Sequence, residues 1–160
     1  MALSAPEPLD ADHDVHAVSC GKPPVDNWLK TRAPSNRSKG FTAVLVVHEA
    51  QRVVGCYGLA PTAIVPMRLP RAIRTGQPPD PVPCPLLGQL ATDLDWASRG
   101  IGTGLLKHAL HRCVQAVALI GGRALVINAI DSDAAGFWRR RGFLPSLLFR
   151  SLADIAASLR

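Results

Sequence analysis

The chain has 160 residues, of which 48% are apolar, and carries a formal net charge of +6 with an isoelectric point near 9.7. This length and composition predict one domain, residues 1–160, with a full hydrophobic core. No apolar run approaches about eighteen residues and the N-terminus is acidic, so we expect neither a membrane-spanning helix nor a signal peptide.

The N-terminal part of the chain is predicted to hold one helix. Residues 1–9 are expected to be loose. The helix follows Pro23 and either fades near Pro34 or continues weakly to Lys39, and Gly40 ends it in either case.

A hairpin and an irregular segment follow. Residues 41–48 and 53–60 are apolar runs rich in β-branched residues and joined by a short turn, which predicts a hairpin. Prolines are frequent in residues 66–83, so we expect an irregular stretch with at most one short basic helix, over residues 68–74.

The second half alternates strands and helices. A strand ends in LGQLATD, and apolar residues recur every three to four positions from Leu106 to Val117, as on one helix face. A buried strand over residues 124–129, a helix over 134–141 and a last strand over 147–152 complete the chain. The order α, β, β, β, α, β, α, β predicts one α/β domain.

Glycines cluster where the third strand gives way to the long helix, in the stretch RGIGTG, residues 99–104. The first N–H groups of a helix lack intrahelical partners and lie at the positive end of its dipole, so glycines there let a pyrophosphate approach the backbone. A P-loop needs Lys and Ser/Thr after the last glycine, whereas Leu105 follows Gly104. A dinucleotide fingerprint needs another spacing and a later acid, but no acid lies between Asp95 and Asp131.

The cysteines indicate the redox environment of the protein, and the basic residues indicate the class of its partner. Cys20, Cys56, Cys84 and Cys113 form no Cys-x-x-Cys pair, so we expect buried thiols in a reducing cytoplasm, with no metal and no disulfide framework. Ten of the 18 Lys and Arg residues form three clusters, which favours a nucleic acid over an ordinary solvated surface. These clusters are Lys30, Arg32, Arg37 and Lys39; Arg68, Arg71 and Arg74; and Arg139, Arg140 and Arg141.

The loop pattern Arg-x-x-Gly-x-Gly, at Arg99, Gly102 and Gly104, resembles the coenzyme-A pyrophosphate loop of GNAT acetyltransferases. Three longer blocks resemble one branch of that family, the TacT-like toxins; they read ADHDVHAVSCGKPPVDNWLKTRA, PPDPVPCPLLGQLATD and AIDSDAAGFWRRRGFLP. The resemblance extends from about Leu9 to Arg150. It implies the GNAT fold, a single α/β domain with a mixed central sheet and flanking helices.

The resemblance also implies a function. TacT-like toxins use acetyl-CoA to acetylate the amino group of aminoacyl-tRNA, which blocks translation, and a ribbon-helix-helix antitoxin neutralises them. We therefore expect a cytoplasmic homodimer without membrane contact, whose partners are aminoacyl-tRNA and the antitoxin. Operator DNA is expected only through the antitoxin.

The family's roles imply a site at the matching residues. Backbone groups of Leu90, Ala91 and Thr92 would pair with the pantetheine arm. Asn128 would lie where the central strands separate, and Phe137 would pack on the far end of the cofactor. The pyrophosphate would be held by Arg99, Gly100, Ile101, Gly102, Thr103 and Gly104. The residues expected to contact tRNA are Lys30, Arg32, Arg37, Lys39, Arg71, Arg74, Arg139 and Arg140.

Two residues depart from the family pattern. Gln89 stands where an Arg is usual, which weakens the expected contact with tRNA or antitoxin. Trp138 stands at the catalytic position of a Tyr whose hydroxyl protonates the departing thiolate, and an indole N–H is a poor donor of this kind. The only tyrosine, Tyr57, lies on the hairpin, and His108 and His111 are expected to be surface residues rather than bases.

Three functions stay open at this point. The first is an acetyl-CoA-dependent acetyltransferase toxin acting on charged tRNA. The second is a non-catalytic CoA-binding module that acts with its antitoxin as a DNA-bound corepressor. The third is an acetyltransferase of protein N-termini or small amines, for which the basic clusters would be incidental.

Overall fold

The computed structural model describes residues 3–127, 132–143 and 148–159. In chain order its elements are β1 (Glu7–Pro8), α1 (Pro23–Thr31), α2 (Ala33–Ser38), β2 (Ala43–Glu49), β3 (Arg52–Ile64), β4 (Val82–Thr92), α3 (Ile101–Ile120), β5 (Ala124–Ile127), α4 (Ser132–Arg139), β6 (Leu148–Ser151) and α5 (Leu152–Ser158). The strands lie in the order β1-β2-β3-β4-β5-β6 within one sheet. β4 and β5 pair in parallel, whereas β1–β2, β2–β3 and β5–β6 pair antiparallel, which confirms the α/β class with a mixed sheet.

The chain folds as two compact units. The first unit comprises Met1–Ala60 and Gly88–Ala109, and the second comprises Pro61–Leu87 and Leu110–Arg160. Among the described residues, no helix is long and apolar enough to cross a membrane.

Two glycines of β3 let helices pack closely on the sheet of the first unit. A Cβ on Gly58 would lie 2.9 Å from the Trp28 ring of α1, and a Cβ on Gly55 would lie 2.8 Å from Leu105 of α3. Because the two glycines are three positions apart, they face opposite sides of the strand. Any side chain at either position would push its helix away from the sheet.

The predicted hairpin is confirmed. β2 pairs with β3 from Ala43↔Leu59 to Glu49↔Arg52, and the two turn residues, Ala50 (φ 50°) and Gln51 (φ 73°), adopt left-handed conformations. Two such residues in succession match the right-handed twist of the strands they join.

In the second unit, hydrogen bonds from one arginine and burial of one isoleucine hold the proline-rich segment. Arg123 donates from Nε to the Ile73 carbonyl (2.9 Å) and from Nη2 to the Thr75 carbonyl (3.0 Å). Ile73 is buried in the same apolar cluster as Val82 and Val126. The segment is irregular, as predicted, because its prolines lack the N–H groups that a helix or a ladder needs.

Several predicted boundaries were wrong. Residues 1–9 are not all loose, since β1 pairs with β2 at Glu7↔Val46 and Pro8↔Leu45. α5 was missed; Ser151 begins it by accepting the Asp154 N–H at 3.1 Å, and its buried residues are Leu152 and Ile155. β3 continues to Ile64 rather than ending at residue 60, whereas α3 begins at Ile101, within the glycine stretch that predicted a helix start.

Three side chains fix β1 to the sheet. The Nε2 atoms of His13 and His48 donate to Glu7 Oε1 at 2.8 and 2.5 Å, while the Nδ1 atoms accept the backbone N–H groups of Asp10 (3.0 Å) and Gln51 (3.1 Å). Within the described ranges this is the group of side chains close enough to hold a metal ion. A metal on Nε2 would leave the proton on Nδ1, where it would meet a backbone N–H, so the arrangement fits a hydrogen-bonded anchor better than a metal centre.

This anchor makes stability depend on pH. Hydrogen bonds from His13 and then from His48 lower the pKa of Glu7 below its ordinary value of 4.5. A carboxylate whose pKa is lower in the folded state stabilises the fold above its unfolded pKa and loses this contribution as the pH falls through its folded pKa. We therefore expect the melting temperature of Glu7→Gln to fall less than that of the wild type between about pH 5 and pH 3.

The matched control for this prediction is Asp12→Asn, an exposed carboxylate on the same segment. Thermal melts across the pH range should show the wild-type slope in Asp12→Asn and a flatter curve in Glu7→Gln. If the melting temperature falls equally with pH in all three proteins, the Glu7 carboxylate does not contribute to stability in the way predicted.

Candidate functional site

A buried aspartate fixes the turn that leads from β4 towards α3. Asp93 is 4% exposed, and its carboxylate accepts the backbone N–H groups of Ser19 (3.0 Å) and Asp95 (2.9 Å). Its own N–H donates to the Val54 carbonyl at 2.8 Å, and the Leu94 N–H donates to the Ser19 carbonyl at 2.8 Å. An Asp that accepts the backbone N–H two residues on is a recognised turn signal.

The glycine stretch forms the first turn of α3. Ser98 (φ 64°) and Gly100 (φ 82°) are in the left-handed region on either side of Arg99. The Gly104 N–H donates to the Gly100 carbonyl at 3.0 Å, which is the first helical hydrogen bond. By helix geometry, the N–H groups of residues 101–103 therefore have no intrahelical acceptor and carry the positive end of the dipole.

The space around this helix start suits a bulky anion. A Cβ added to Gly104 or Gly100 would meet nothing within 4 Å, whereas one on Gly102 would lie 3.3 Å from Thr92 Oγ1. The side chains of Ile101 and Leu105 are buried and point to Gly55. Ile101 can thus serve the site only through its backbone, as predicted for this stretch.

Arg99 places an exposed cation beside the helix start. Its guanidinium carbon lies 4.7 Å from the centre of the Trp96 ring, a cation–π contact. Thr103 is exposed on the first turn of α3. No sequence pattern indicated a role for Trp96, which supports Arg99 without neutralising its charge.

The end of β4 contributes the strand residues of the predicted site. Ala91 is buried, and Leu90, Thr92 and Gln89 are half-buried. The parallel pairing of β4 with β5 joins Leu86↔Val126 and Leu87↔Ile127. Asn128, the amide expected at the separation of the central strands, lies outside the described residues.

The second unit contains the predicted catalytic position, which is a buried one. Trp138 is 6% exposed and packs edge-on against Phe137 (4.9 Å between ring centres) and Phe143 (5.5 Å). α4 therefore turns the face that carries Trp138 into the core. The face of the half-buried Phe137 ring is occupied by Arg141, 3.5 Å from the ring centre.

The chain's only tyrosine lies in the first unit, where it is buried and hydrogen-bonded to a histidine. Tyr57 is fully buried, and its hydroxyl is hydrogen-bonded to His108 Nδ1 at 2.7 Å. His108 is therefore half-buried and paired, not the surface residue that the sequence predicted, whereas His111 is exposed as predicted. The Tyr57–His108 pair ties α3 to β3 one turn beyond the glycines.

The cysteines are poor nucleophiles. All four are free thiols; Cys56, Cys84 and Cys113 are buried and Cys20 is half-buried. Burial raises the pKa of Cys56 to about 12 and that of Cys113 to about 12. A thiol attacks as the thiolate, so Cys56 and Cys113 are inert at neutral pH.

The basic residues are distributed over both units. In the first unit Arg32 and Lys39 are exposed and Lys30 and Arg37 are half-buried. Within the described ranges, none of these four forms an ion pair with a carboxylate. In the second unit, the described side chains at the predicted tRNA contacts are Arg71, Arg139 and Arg140, which are exposed, and Arg74, which is half-buried.

Comparison with known proteins gives a consistent result. The sequence model of the acetyltransferase (GNAT) family matches residues 13–143. A tRNA-acetylating toxin of Mycobacterium tuberculosis is 38% identical over 135 residues, which are 84% of this chain and 81% of that protein.

Solved structures show the same fold. AtaT complexed with acetyl-methionyl-tRNAfMet is 23% identical, with a TM-score of 0.88 over 99% of this chain and 100% of that one. A tyrosine-to-phenylalanine mutant of the AtaT toxin, bound to the C-terminus of the antitoxin AtaR, is 23% identical, with a TM-score of 0.81 over 98% and 97% of the two chains.

Proposed function

We propose, from the premise that this chain belongs to the acetyltransferase (GNAT) family, that it transfers an acetyl group from acetyl-CoA to the amino group of aminoacyl-tRNA. The observation that carries the proposal is the start of α3, where backbone N–H groups without intrahelical acceptors adjoin open space at Gly104. Lys30, Arg32, Arg37 and Lys39 support an RNA substrate, since within the described residues none of them forms an ion pair with a carboxylate. A relative with 38% identity, the tRNA-acetylating toxin, supports the same substrate.

The residues proposed to hold acetyl-CoA are those of the predicted site. The backbone of residues 100–104 would bind the pyrophosphate, with Arg99 as a charge partner. Backbone groups of Leu90, Ala91 and Thr92 would pair with the pantetheine arm. Asn128 and Phe137 are the other residues proposed to bind the cofactor. Acetyl-CoA supplies an activated thioester when it is bound.

The proposed reaction is a direct transfer. The amino nitrogen attacks the thioester carbonyl, so that a C–N bond forms while the C–S bond breaks. The nitrogen loses a proton and the sulfur gains one, and Trp138 occupies the position at which a donor is expected. Holding the two reactants together provides much of the rate. The high pKa of Cys56 and of Cys113 supports a route without an acyl-enzyme.

The proposal includes partners. We infer a cytoplasmic homodimer that a ribbon-helix-helix antitoxin neutralises and that meets operator DNA only through this antitoxin. The AtaT structure with an antitoxin segment supports a protein antitoxin. We also infer that residues 1–160 act as one domain, because the family match at residues 13–143 includes segments of both units. The residues proposed to contact tRNA are Lys30, Arg32, Arg37, Lys39, Arg71, Arg74, Arg139 and Arg140.

One assay tests the proposed reaction. Purified protein is incubated with radiolabelled acetyl-CoA and charged bulk tRNA, with deacylated tRNA and unmodified peptides as parallel substrates. Label should enter only the charged tRNA and should be released with the amino acid on deacylation. Label in peptides alone would instead support the acetyltransferase of protein N-termini.

The absence of a phenol at position 138 favours one alternative, a non-catalytic CoA-binding module that acts with its antitoxin as a DNA-bound corepressor. This function predicts that acetyl-CoA binds while no acceptor is labelled. It also predicts that the protein increases the affinity of the antitoxin for operator DNA. Transfer to charged tRNA at a useful rate would exclude it.

Reversal of the basic residues of the first unit should separate RNA binding from cofactor binding. We expect the quadruple variant Lys30→Glu, Arg32→Glu, Arg37→Glu and Lys39→Glu to bind charged tRNA more weakly, because it neutralises fewer phosphates and releases fewer counterions. The slope of log K against log salt should decrease by about 1 for each phosphate that is no longer neutralised. The thermal shift with acetyl-CoA should stay unchanged.

Arg52→Glu is the control for this variant, since Arg52 is an exposed cation of the first unit outside the cluster. It should leave the salt slope at the wild-type value. Binding that is insensitive to salt, or an equal loss of acetyl-CoA binding in the quadruple variant, would identify the four cations as a solvated surface.

A further inference from the structure

The turn after α2 holds an aromatic ring at the surface. Phe41 is 66% exposed. The Asn36 carbonyl accepts the N–H groups of Phe41 (2.9 Å) and Thr42 (3.3 Å), and the Gly40 N–H donates to the Arg37 carbonyl at 3.2 Å. Gly40 has a φ of 78°, a conformation that glycine adopts without strain. Backbone hydrogen bonds therefore hold the turn that exposes the ring.

The surroundings of Phe41 are cationic. Arg37 and Lys39 precede it on the same turn, and α1, which carries Lys30 in its last turn, packs against α2. Between Asp26 and Glu49 the sequence contains no acid. Asp26 Oδ1 accepts the Cys20 N–H at 3.0 Å, so this carboxylate is already engaged.

An exposed apolar residue is common and by itself indicates nothing. An aromatic ring on a hydrogen-bonded turn, beside cations that form no ion pair with a carboxylate in the described part of the chain, is a different case. It matches the two needs of unpaired nucleic acid. Bases stack on an aromatic face, and phosphates are attracted to the cations beside it. A paired helix offers phosphates but keeps its bases stacked inside, so it would use the cations without the ring.

We propose that Phe41, flanked by Arg37 and Lys39, is a stacking site for an unpaired nucleotide of the tRNA substrate. The site rests on the proposed function for the identity of its ligand, and it adds the recognition of a single-stranded segment. The ring supplies an interaction that does not depend on base identity, and the two cations hold the adjoining phosphates.

Substitution of Phe41 tests the site through affinity and salt dependence together. Phe41→Ala should weaken binding of charged tRNA about 5- to 150-fold, the range that one base-stacking interaction gives. It should leave the slope of log K against log salt unchanged, since an uncharged ring releases no counterions. Phe41→Trp should retain wild-type affinity, and RNA should quench the added indole fluorescence.

The controls distinguish stacking from damage to the fold. Met67→Ala removes another exposed apolar side chain, 87% exposed, and should leave tRNA affinity unchanged. A single-stranded RNA oligonucleotide should show the Phe41→Ala effect, and the same oligonucleotide annealed to its complement should not. Melting temperatures of all variants should match the wild type, because the Phe41 ring is mostly in solvent.

The outcomes separate this site from the proposed function. Wild-type affinity in Phe41→Ala, or an equal loss for single strand and duplex, would overturn the stacking site even if charged tRNA is acetylated. If wild-type protein acetylates no charged tRNA but binds single-stranded RNA through Phe41, the proposed function fails and the stacking site stands.

Discussion

Gly104→Glu is expected to abolish the rise in melting temperature that acetyl-CoA produces in the wild type. A ligand that binds only the native state stabilises it by mass action, by about 2.7 kcal/mol at a hundredfold excess over Kd. For a chain of this length that corresponds to a shift of about 5–10 °C. The variant places a carboxylate at the helix start, where it would compete with the pyrophosphate for the same N–H groups and repel its charge.

The variant should fold normally, which makes the loss of binding interpretable. A Cβ at Gly104 meets nothing within 4 Å, and an acidic side chain in the first turn of a helix stabilises it. The melting temperature without ligand should therefore equal or slightly exceed that of the wild type. Differential scanning fluorimetry with and without acetyl-CoA measures both quantities.

Two companion variants complete the test. Gly104→Ala adds the Cβ without the charge and should retain most of the thermal shift. Gly102→Glu should also abolish it, with an added loss of stability because its Cβ would lie 3.3 Å from Thr92 Oγ1. If both glutamate variants keep the wild-type shift, residues 99–104 do not hold the pyrophosphate.

Local patterns made most of the fold predictable. The hairpin followed from two β-branched runs and a short turn, and the helix start at the glycines followed from a change of hydrophobic period after LGQLATD. These signals come from residues close together in the sequence, so a single sequence is sufficient to recognise them.

The features that were missed depend on distant contacts. β1 has only two residues, and the side chains of His13 and His48 hold it through Glu7. Asp93 fixes its turn by a bond to Ser19, which is 74 positions away in the sequence. Ser151, with Asp154 three positions later, is a signal for a helix start. It was missed because the predicted strand over residues 147–152 included this serine.

The candidate site likewise combines features that local spacing predicted with features that only the folded structure shows. The spacing of Arg99, Gly102 and Gly104 indicates an anion site because its chemistry uses consecutive backbone groups. The support of Arg99 by Trp96 and the pairing of Tyr57 with His108 arise from packing, which no spacing encodes. Burial of Trp138 also arises from packing, and it adds a loss of stability to the expected effect of substituting this residue.

Trp138→Tyr is expected to restore or sharply raise acetyl transfer to charged tRNA and to make the protein toxic on expression. The resemblance to TacT-like toxins implies a tyrosine hydroxyl at this position, which returns a proton to the departing thiolate. General acid catalysis typically contributes about 10²- to 10⁴-fold, so the gain should be well outside assay noise. The indole of the present chain lacks a hydroxyl.

The same substitution should lower stability, because Trp138 is 6% exposed and packs against Phe137 and Phe143. We expect a loss of about 1–3 kcal/mol in the free energy of unfolding, so transfer rates are measured well below the melting temperature. Trp138→Phe is the matched control, since it removes similar bulk without supplying a hydroxyl. A higher rate in Trp138→Tyr alone identifies the phenol as the proton donor, whereas equal rates in the two variants would refute it. Full activity of the wild type with no gain in Trp138→Tyr would mean that this chain uses another donor.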